Sequence, residues 1–130
     1  MNEITTIGLD LAKNVFHVVC CDKNGKIVRK KMLRRCQVLS YFANLTACLV
    51  GMEACASSYH WARELSAMGH KVKLIPPQYV KPYVRGNKND YNDALAIAEA
   101  VVNPEMRFVP VKTTEQQDIQ ALHGLRERRI

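Results

Sequence analysis

The apolar period of this chain changes near residue 36, from strands alone to helices alternating with strands, and that change restricts the folds open to it. Residues 4–10 read as a strand, with Ile7 and Leu9 on one face and Thr6, Gly8 and Asp10 on the other. Val15–Cys21 is β-branched and aromatic, which suits a second strand. Asp22-Lys23-Asn24-Gly25 is turn chemistry, and residues 27–33 return as a third strand. Beyond it Val38, Leu39, Phe42 and Leu45 recur at helical spacing. Residues 48–52 are a short apolar run that reads as a buried strand. Ser57 or Ser58 is expected to cap a helix carrying Ala62, Leu65 and Met68, ended by Gly69. Residues 72–75 form another short strand, stopped by Pro76-Pro77. Residues 90–102 read as a helix with Ala94, Ile97, Ala98 and Val101 inward, and residues 108–111 as extended chain.

A last helix is expected from Thr113 or Thr114. Its acidic residues Glu115 and Asp118 come early and Arg126, Arg128 and Arg129 late, as the helix dipole favours. Its stripe of Ile119, Leu122 and Leu125 meets no Gly or Pro stop before Ile130, so this helix is expected to be truncated. The element order is β-β-β-α-β-α-β-α plus trailing helix. Three antiparallel strands followed by strand–helix alternation give an α/β fold, a mixed five-stranded sheet flanked by helices. That order matches the ribonuclease H-like class.

Hydrophobic residues make up 48% of 130 positions, enough for one domain with its own core and too many for a disordered chain. No apolar run approaches the roughly 20 residues of a membrane-spanning helix. The N-terminal MNEITTIGLD lacks the basic and apolar regions of a signal peptide, so a cytoplasmic location with no membrane partner is expected. The five cysteines include no C-x-x-C pair and are expected to be reduced and mostly buried. Lys and Arg outnumber Asp and Glu by 19 to 12, a surplus that suits a polyanionic partner or a merely soluble basic protein.

Four acidic residues stand out by position. Asp10 ends the first strand, Glu53 follows the fourth, and Asp90 and Asp93 open a helix. Strands one and four can lie side by side in a mixed sheet, bringing Asp10 and Glu53 together. Asp90 and Asp93, spaced i and i+3, share a helix face. Four converging carboxylates would repel one another, and divalent cations such as Mg²⁺, which prefers hard oxygen ligands, would remove the repulsion. Two such ions can clamp the attacking and leaving oxygens of a phosphoryl transfer. Asp90 and Asp93 would equally make a helix-capping pair, and Asp10 a solvated strand end. Glu53 follows a run that reads as buried, and a carboxylate there needs a partner.

Basic residues cluster twice. Lys26, Arg29, Lys30, Lys31, Arg34 and Arg35 crowd the third strand and its exit, as a nucleic-acid contact or a solvated face. Lys81, Arg85 and Lys88 lead into the Asp90 helix, interleaved with Tyr79, Tyr83 and Tyr91, a pattern suited to stacking and phosphate contact. Lys13, three residues past Asp10, is a further phosphate candidate. None of the four histidines pairs at metal-ligand spacing, so structural or solvent-facing roles are expected of them. A P-loop and a G-x-S-x-G elbow are both missing, which removes two enzyme classes.

Four segments carry a family resemblance: TIGLDLAKNVFHV, LVGMEACASSYHWAREL, GHKVKLIPPQYVKPYVRGNKNDYNDALAIAEA and MRFVPVKTTEQQDIQALHGLRERR. They resemble the N-terminal half of the IS one-ten (IS110) family of insertion-sequence transposases, a group that includes the pilin-gene-inverting recombinases. The likeness covers essentially the whole chain, and GNKND-x-x-DA is its most specific part. It implies a RuvC-like catalytic domain with a D-E-D-D tetrad at Asp10, Glu53, Asp90 and Asp93, acting as catalytic residues and metal ligands. It also implies Mg²⁺ as cofactor, with Mn²⁺ as a substitute, and donor and target DNA as partners. A structured guide RNA and a homo-oligomer of the full-length protein are implied as well.

On that basis residues 1–111 are expected to form the catalytic domain. Residues 112–130 would begin a helix leading to a coiled coil and a serine-bearing domain that this chain lacks. The expected function is metal-dependent phosphoryl transfer on DNA, with Lys13, Lys30, Arg34, Arg35, Lys81, Arg85 and Lys88 contacting nucleic acid. A stand-alone nuclease of Holliday-junction type, and a non-catalytic module for RNA or DNA binding and oligomerisation, are the competing readings.

Overall fold

The computed structural model describes residues 3–12, 14–85 and 91–111. Five strands form one sheet: β1 (Thr6–Leu11), β2 (Val15–Cys21), β3 (Ile27–Arg34), β4 (Leu49–Glu53) and β5 (Lys71–Ile75). Their spatial order is β3-β2-β1-β4-β5. β2 runs antiparallel to both β1 and β3, whereas β4 runs parallel to β1 and β5 parallel to β4. The mixed sheet read from the sequence is therefore the one observed. Four α-helices, α1 (Val38–Ala43), α2 (Ala56–Ala67), α3 (Pro77–Val80) and α4 (Asn92–Val101), and two single 3-10 turns at Arg35–Gln37 and Lys81–Tyr83 complete the described fold. The last helix expected from the sequence, from residue 113, lies outside the described residues.

Strand alternation sorts the core into two layers. Ile7, Leu9, Phe16, Val18, Val50, Met52 and Leu74 point to one face, where they meet Phe42 of α1 and Trp61, Ala62 and Leu65 of α2. On the other face α4 lies over the middle of the sheet. Its Ala94 and Ala98 pack with Val19 and Cys21, and its Ile97 and Val101 with Ile75 and Val80.

A pair of glycines sets how closely α4 approaches. Gly8 of β1 and Gly51 of β4 are register partners on that face. A Cβ at Gly8 would collide with the carbonyl oxygen of Ala94 and come within 2.7 Å of the Ala98 nitrogen. One at Gly51 would lie 2.8 Å from the Val101 Cβ. Helix backbone thus rests directly on strand backbone, which side chains at these positions would forbid.

Several local details differ from the sequence expectation. Cys55, not Ser57 or Ser58, is the N-cap of α2. Ser58 bonds back to it: the Cys55 N–H donates to Ser58 Oγ at 2.9 Å, and that hydroxyl donates to the Cys55 carbonyl at 2.8 Å. Met68 is the C-cap of α2 and is 37% exposed, so it does not share the buried stripe of Ala62 and Leu65. Gly69 ends the helix as expected, at φ +99°. Pro76-Pro77 does stop β5, but it also starts α3, because proline at the first helical positions loses no bond the helix needs. α4 begins at Asn92 with Tyr91 at the N-cap and Asp93 in its first turn, the place expected for Asp93. All five cysteines are free, and Cys36 and Cys55 are exposed while the other three are buried.

His70 has the structural role expected of the histidines. It is buried, its Nδ1 accepts the Cys48 N–H at 3.2 Å, and its Nε2 donates to the Phe42 carbonyl at 2.8 Å. The ring joins the start of β4 to the end of α1. His70→Ala strands the buried Cys48 N–H, while the Phe42 carbonyl keeps the Leu45 N–H at 3.2 Å, and is expected to cost about 2 kcal/mol in urea unfolding.

A candidate carboxylate centre

The parallel register Leu9↔Met52 aligns the C-terminal ends of β1 and β4. Asp10 and Glu53 stand one step beyond that pair, each two residues after its glycine and so on the α4 face. Asp93 lies in the first turn of α4, where a carboxylate also favours the helix dipole. The glycine contact that seats α4 on the sheet is what brings its N-terminal turn to the strand ends.

Electrostatics record the convergence. Burial is the main cause holding the Asp10 carboxyl above the usual aspartate range; the Asp93 charge adds to it, the His17 ring opposes it and Glu53 adds a smaller push. Burial also raises Glu53, again with Asp93 adding to it and Lys81 opposing. Three carboxylates from three elements therefore act on one another. Among the described residues, however, no three acidic, thiol or imidazole side chains are gathered into a ready-made metal shell. Asp90, the fourth acidic residue expected here, lies outside the described residues.

The sign of these shifts gives a stability prediction. A carboxyl raised in the folded state costs nothing at pH values below its ordinary pKa. The full cost appears once pH has risen through the raised value. Asp10→Asn is thus expected to raise the melting temperature of the metal-free chain at neutral pH, with the gain vanishing at acidic pH. A scan of melting temperature against pH measures it, and a drop at neutral pH would mean that Asp10 is held by favourable bonds instead.

The basic residues selected from the sequence fall in different places. Lys81, in the turn after α3, is close enough to Glu53 to oppose its shift. Lys30 of β3 lies over the Tyr91 ring, 5.6 Å from its centroid. Arg34 and Arg35 are exposed at the exit of β3, and Arg35 sits over the Trp61 ring at 5.7 Å. Arg85 bonds Glu99 at 2.7 Å. Glu99 follows Asp93 by six residues, about 9 Å along the helix, so Arg85 points away from the carboxylates. Lys13 and Lys88 lie outside the described residues.

One neighbour of the centre, His17, was not selected from spacing. His17 is the cross-strand partner of Asp10 in the β1–β2 register, and its ring meets Tyr91 edge to face at 5.2 Å. The alternation of β2 put His17 on the face of Asp10, but only the hairpin register shows that the two are opposite. Hard oxygen donors that repel one another are the donor chemistry Mg²⁺ or Mn²⁺ fits, and none of the soft thiolates is among them.

Residues 7–130 match a family described as transposase, the DEDD transposases of IS110. Over 128 residues the chain is 52% identical to a probable family 20 transposase of Pseudomonas aeruginosa, covering 98% of this chain and 38% of that protein. It is 46% identical to the transposase for insertion sequence element IS1328 of Yersinia enterocolitica, covering 98% of this chain and 38% of the relative. Against the transposase for IS1111A of Coxiella burnetii it is 48% identical, covering the whole chain and 36% of the relative. The chain thus spans little more than a third of the length of these relatives.

Among solved structures, Thermus thermophilus RuvC superposes with a TM-score of 0.57 at 13% identity, over 80% of this chain and 99% of that one. A second RuvC structure, in complex with a Holliday junction substrate, gives 0.56 at 13% identity, over 75% of this chain and 92% of that one. The fold is ribonuclease H-like.

Proposed function

The chain belongs to the DEDD transposase family of IS110, and on that premise we propose that it is the catalytic N-terminal domain of an insertion-sequence transposase, performing metal-dependent phosphoryl transfer on DNA. The convergence of Asp10, Glu53 and Asp93 from two strand ends and a helix start carries this reading. These three side chains, with Asp90 by family resemblance, would hold Mg²⁺, for which Mn²⁺ would substitute. When bound, such an ion would neutralise the clustered charge and polarise phosphate and attacking oxygens.

The chain's own residues bind and orient. Lys81 beside Glu53 supplies a positive charge for a phosphate, and Lys30 supplies another from β3. The sheet ends and the first turn of α4 fix the carboxylates from rigid elements, which limits the reorganisation that chemistry would need. Donor and target DNA are the partners this reading requires. A structured guide RNA, a homo-oligomer of the full-length protein and a cytoplasmic location follow from the family resemblance. No helix among the described residues is long and apolar enough to cross a membrane.

Binding of DNA bearing an insertion-sequence end tests the reading. Anisotropy titrations are expected to show tighter binding with Mn²⁺ than with EDTA for the native chain, and no such difference for Asp93→Asn. Equal affinity in both conditions for the native chain would sink it.

A further inference from the structure

β3 is an edge strand, and the face it shares with α4 is not covered by that helix. Its pairings Val19↔Lys30, His17↔Met32 and Val15↔Arg34 place Lys30, Met32 and Arg34 on the face of His17 and Asp10. Lys30 and Arg34 are exposed, and Met32 is 57% exposed. A lysine on such an edge ordinarily swings freely in solvent. Here its Nζ lies over the Tyr91 ring, at the N-cap of the helix that carries Asp93. Tyr91 in turn meets the edge of His17, whose cross-strand partner is Asp10.

We propose that Tyr91, braced by His17, positions the Lys30 ammonium at the N-terminal end of α4, where it holds a phosphate of the DNA strand that enters across β3. Attraction between an ammonium and an aromatic face is strong enough to bias a long side chain while leaving its N–H donors free for an anion. The cost of ordering Lys30 is thereby met before DNA arrives, so the contact is a fixed reference point for the backbone. Lys30 contacts substrate; Tyr91 and His17 act through it as positioning residues. Arg34, four residues on and on the same face, stands one step past the Asp10–His17–Met32 level as Lys30 stands one step before it, so the two cations flank that level. This inference rests on the proposed DNA chemistry but concerns only the path of the strand.

The test is the salt dependence of DNA binding by the whole chain, with linear duplex as probe. Lys30→Gln is expected to weaken binding roughly three- to ten-fold and to reduce the slope of log affinity against log salt by about one. Tyr91→Phe, which keeps the aromatic face, is expected to match the native chain, whereas Tyr91→Leu should weaken binding as Lys30→Gln does. The double variant Lys30→Gln/Tyr91→Leu should be no worse than Lys30→Gln. Lys23→Ala, at the far turn of the β2–β3 hairpin, should leave the slope unchanged.

An unchanged slope in Lys30→Gln, or additive losses in the double variant, overturns the positioning while leaving the transposase reading intact. No DNA binding by the native chain would overturn both. Should Tyr91→Leu fail to fold, Lys30→Gln and Tyr91→Phe still decide the matter, because a loss in Tyr91→Phe equal to that in Lys30→Gln contradicts the role of the ring.

Discussion

Gly8→Ala is expected to disrupt this domain more than the loss of any single surface charge. The added methyl would collide with the Ala94 carbonyl of α4, which is backbone and cannot rotate away. Either β1 bends or α4 lifts from the sheet, and overpacking of that kind costs about 3 kcal/mol. In a domain of this size that corresponds to a fall in melting temperature of roughly 10 °C. The damage is also functional, because α4 brings Asp93 toward Asp10 and Glu53 from this contact. Gly25→Ala is the comparison: that glycine has φ +81° in the β2–β3 turn and an open Cβ position, so its penalty is local strain. Thermal unfolding of both variants checks the ranking. A Gly8→Ala chain as stable as the native one would mean that α4 does not rest on β1 backbone.

Asp10→Asn is expected to have the largest effect on chemistry. In a transposase carrying this domain, strand cleavage should fall about a thousand-fold or more, equivalent to about 4 kcal/mol of lost transition-state stabilisation. The amide keeps the shape of the side chain and removes its charge. At neutral pH the same change removes a charge that burial disfavours and that Asp93 and Glu53 repel, so the variant should be folded and, without metal, more stable than the native chain. A large loss of activity together with a gain in apo stability is the signature of a ligand-binding carboxylate. A residue that serves only as a strand end would show neither effect. Retained cleavage in the Asp10→Asn protein would remove this residue from the site.

Much of this arrangement was legible in the sequence because it follows from alternation. Ile7 and Leu9 on one face, with Gly8 and Asp10 on the other, required only the period of a strand, and β1 has that arrangement. Glu53 was legible as the end of the buried run Leu49-Val50-Gly51-Met52, but the residue itself is exposed, so its place near Asp93 comes from strand order and not from a buried charge seeking company. The short pieces between long elements were harder to read. α3 was hidden because Pro76-Pro77 reads equally as a strand stop and as a helix start. The cap of α2 was misplaced because Ser58 serves from the third helical position, bonding back to Cys55. The meaning of Gly8 and Gly51 was invisible in one dimension, since it arises from two strands pairing and a distant helix crossing both. The His17–Tyr91–Lys30 contact was hidden for the same reason: three elements must be docked before those residues meet. The ion pair of Arg85 with Glu99 was hidden likewise, since Glu99 lies two helical turns into α4 and meets Arg85 only once that helix is docked.

The account stands on Asp10, Glu53 and Asp93 belonging to one cation site, and calorimetric titration of Mn²⁺ into the native chain, Asp10→Asn and Asp93→Asn tests that most directly. The expected result is binding to the native chain that is lost in both variants, while circular dichroism shows all three folded. Binding of equal strength in all three would place the metal elsewhere and contradict the account.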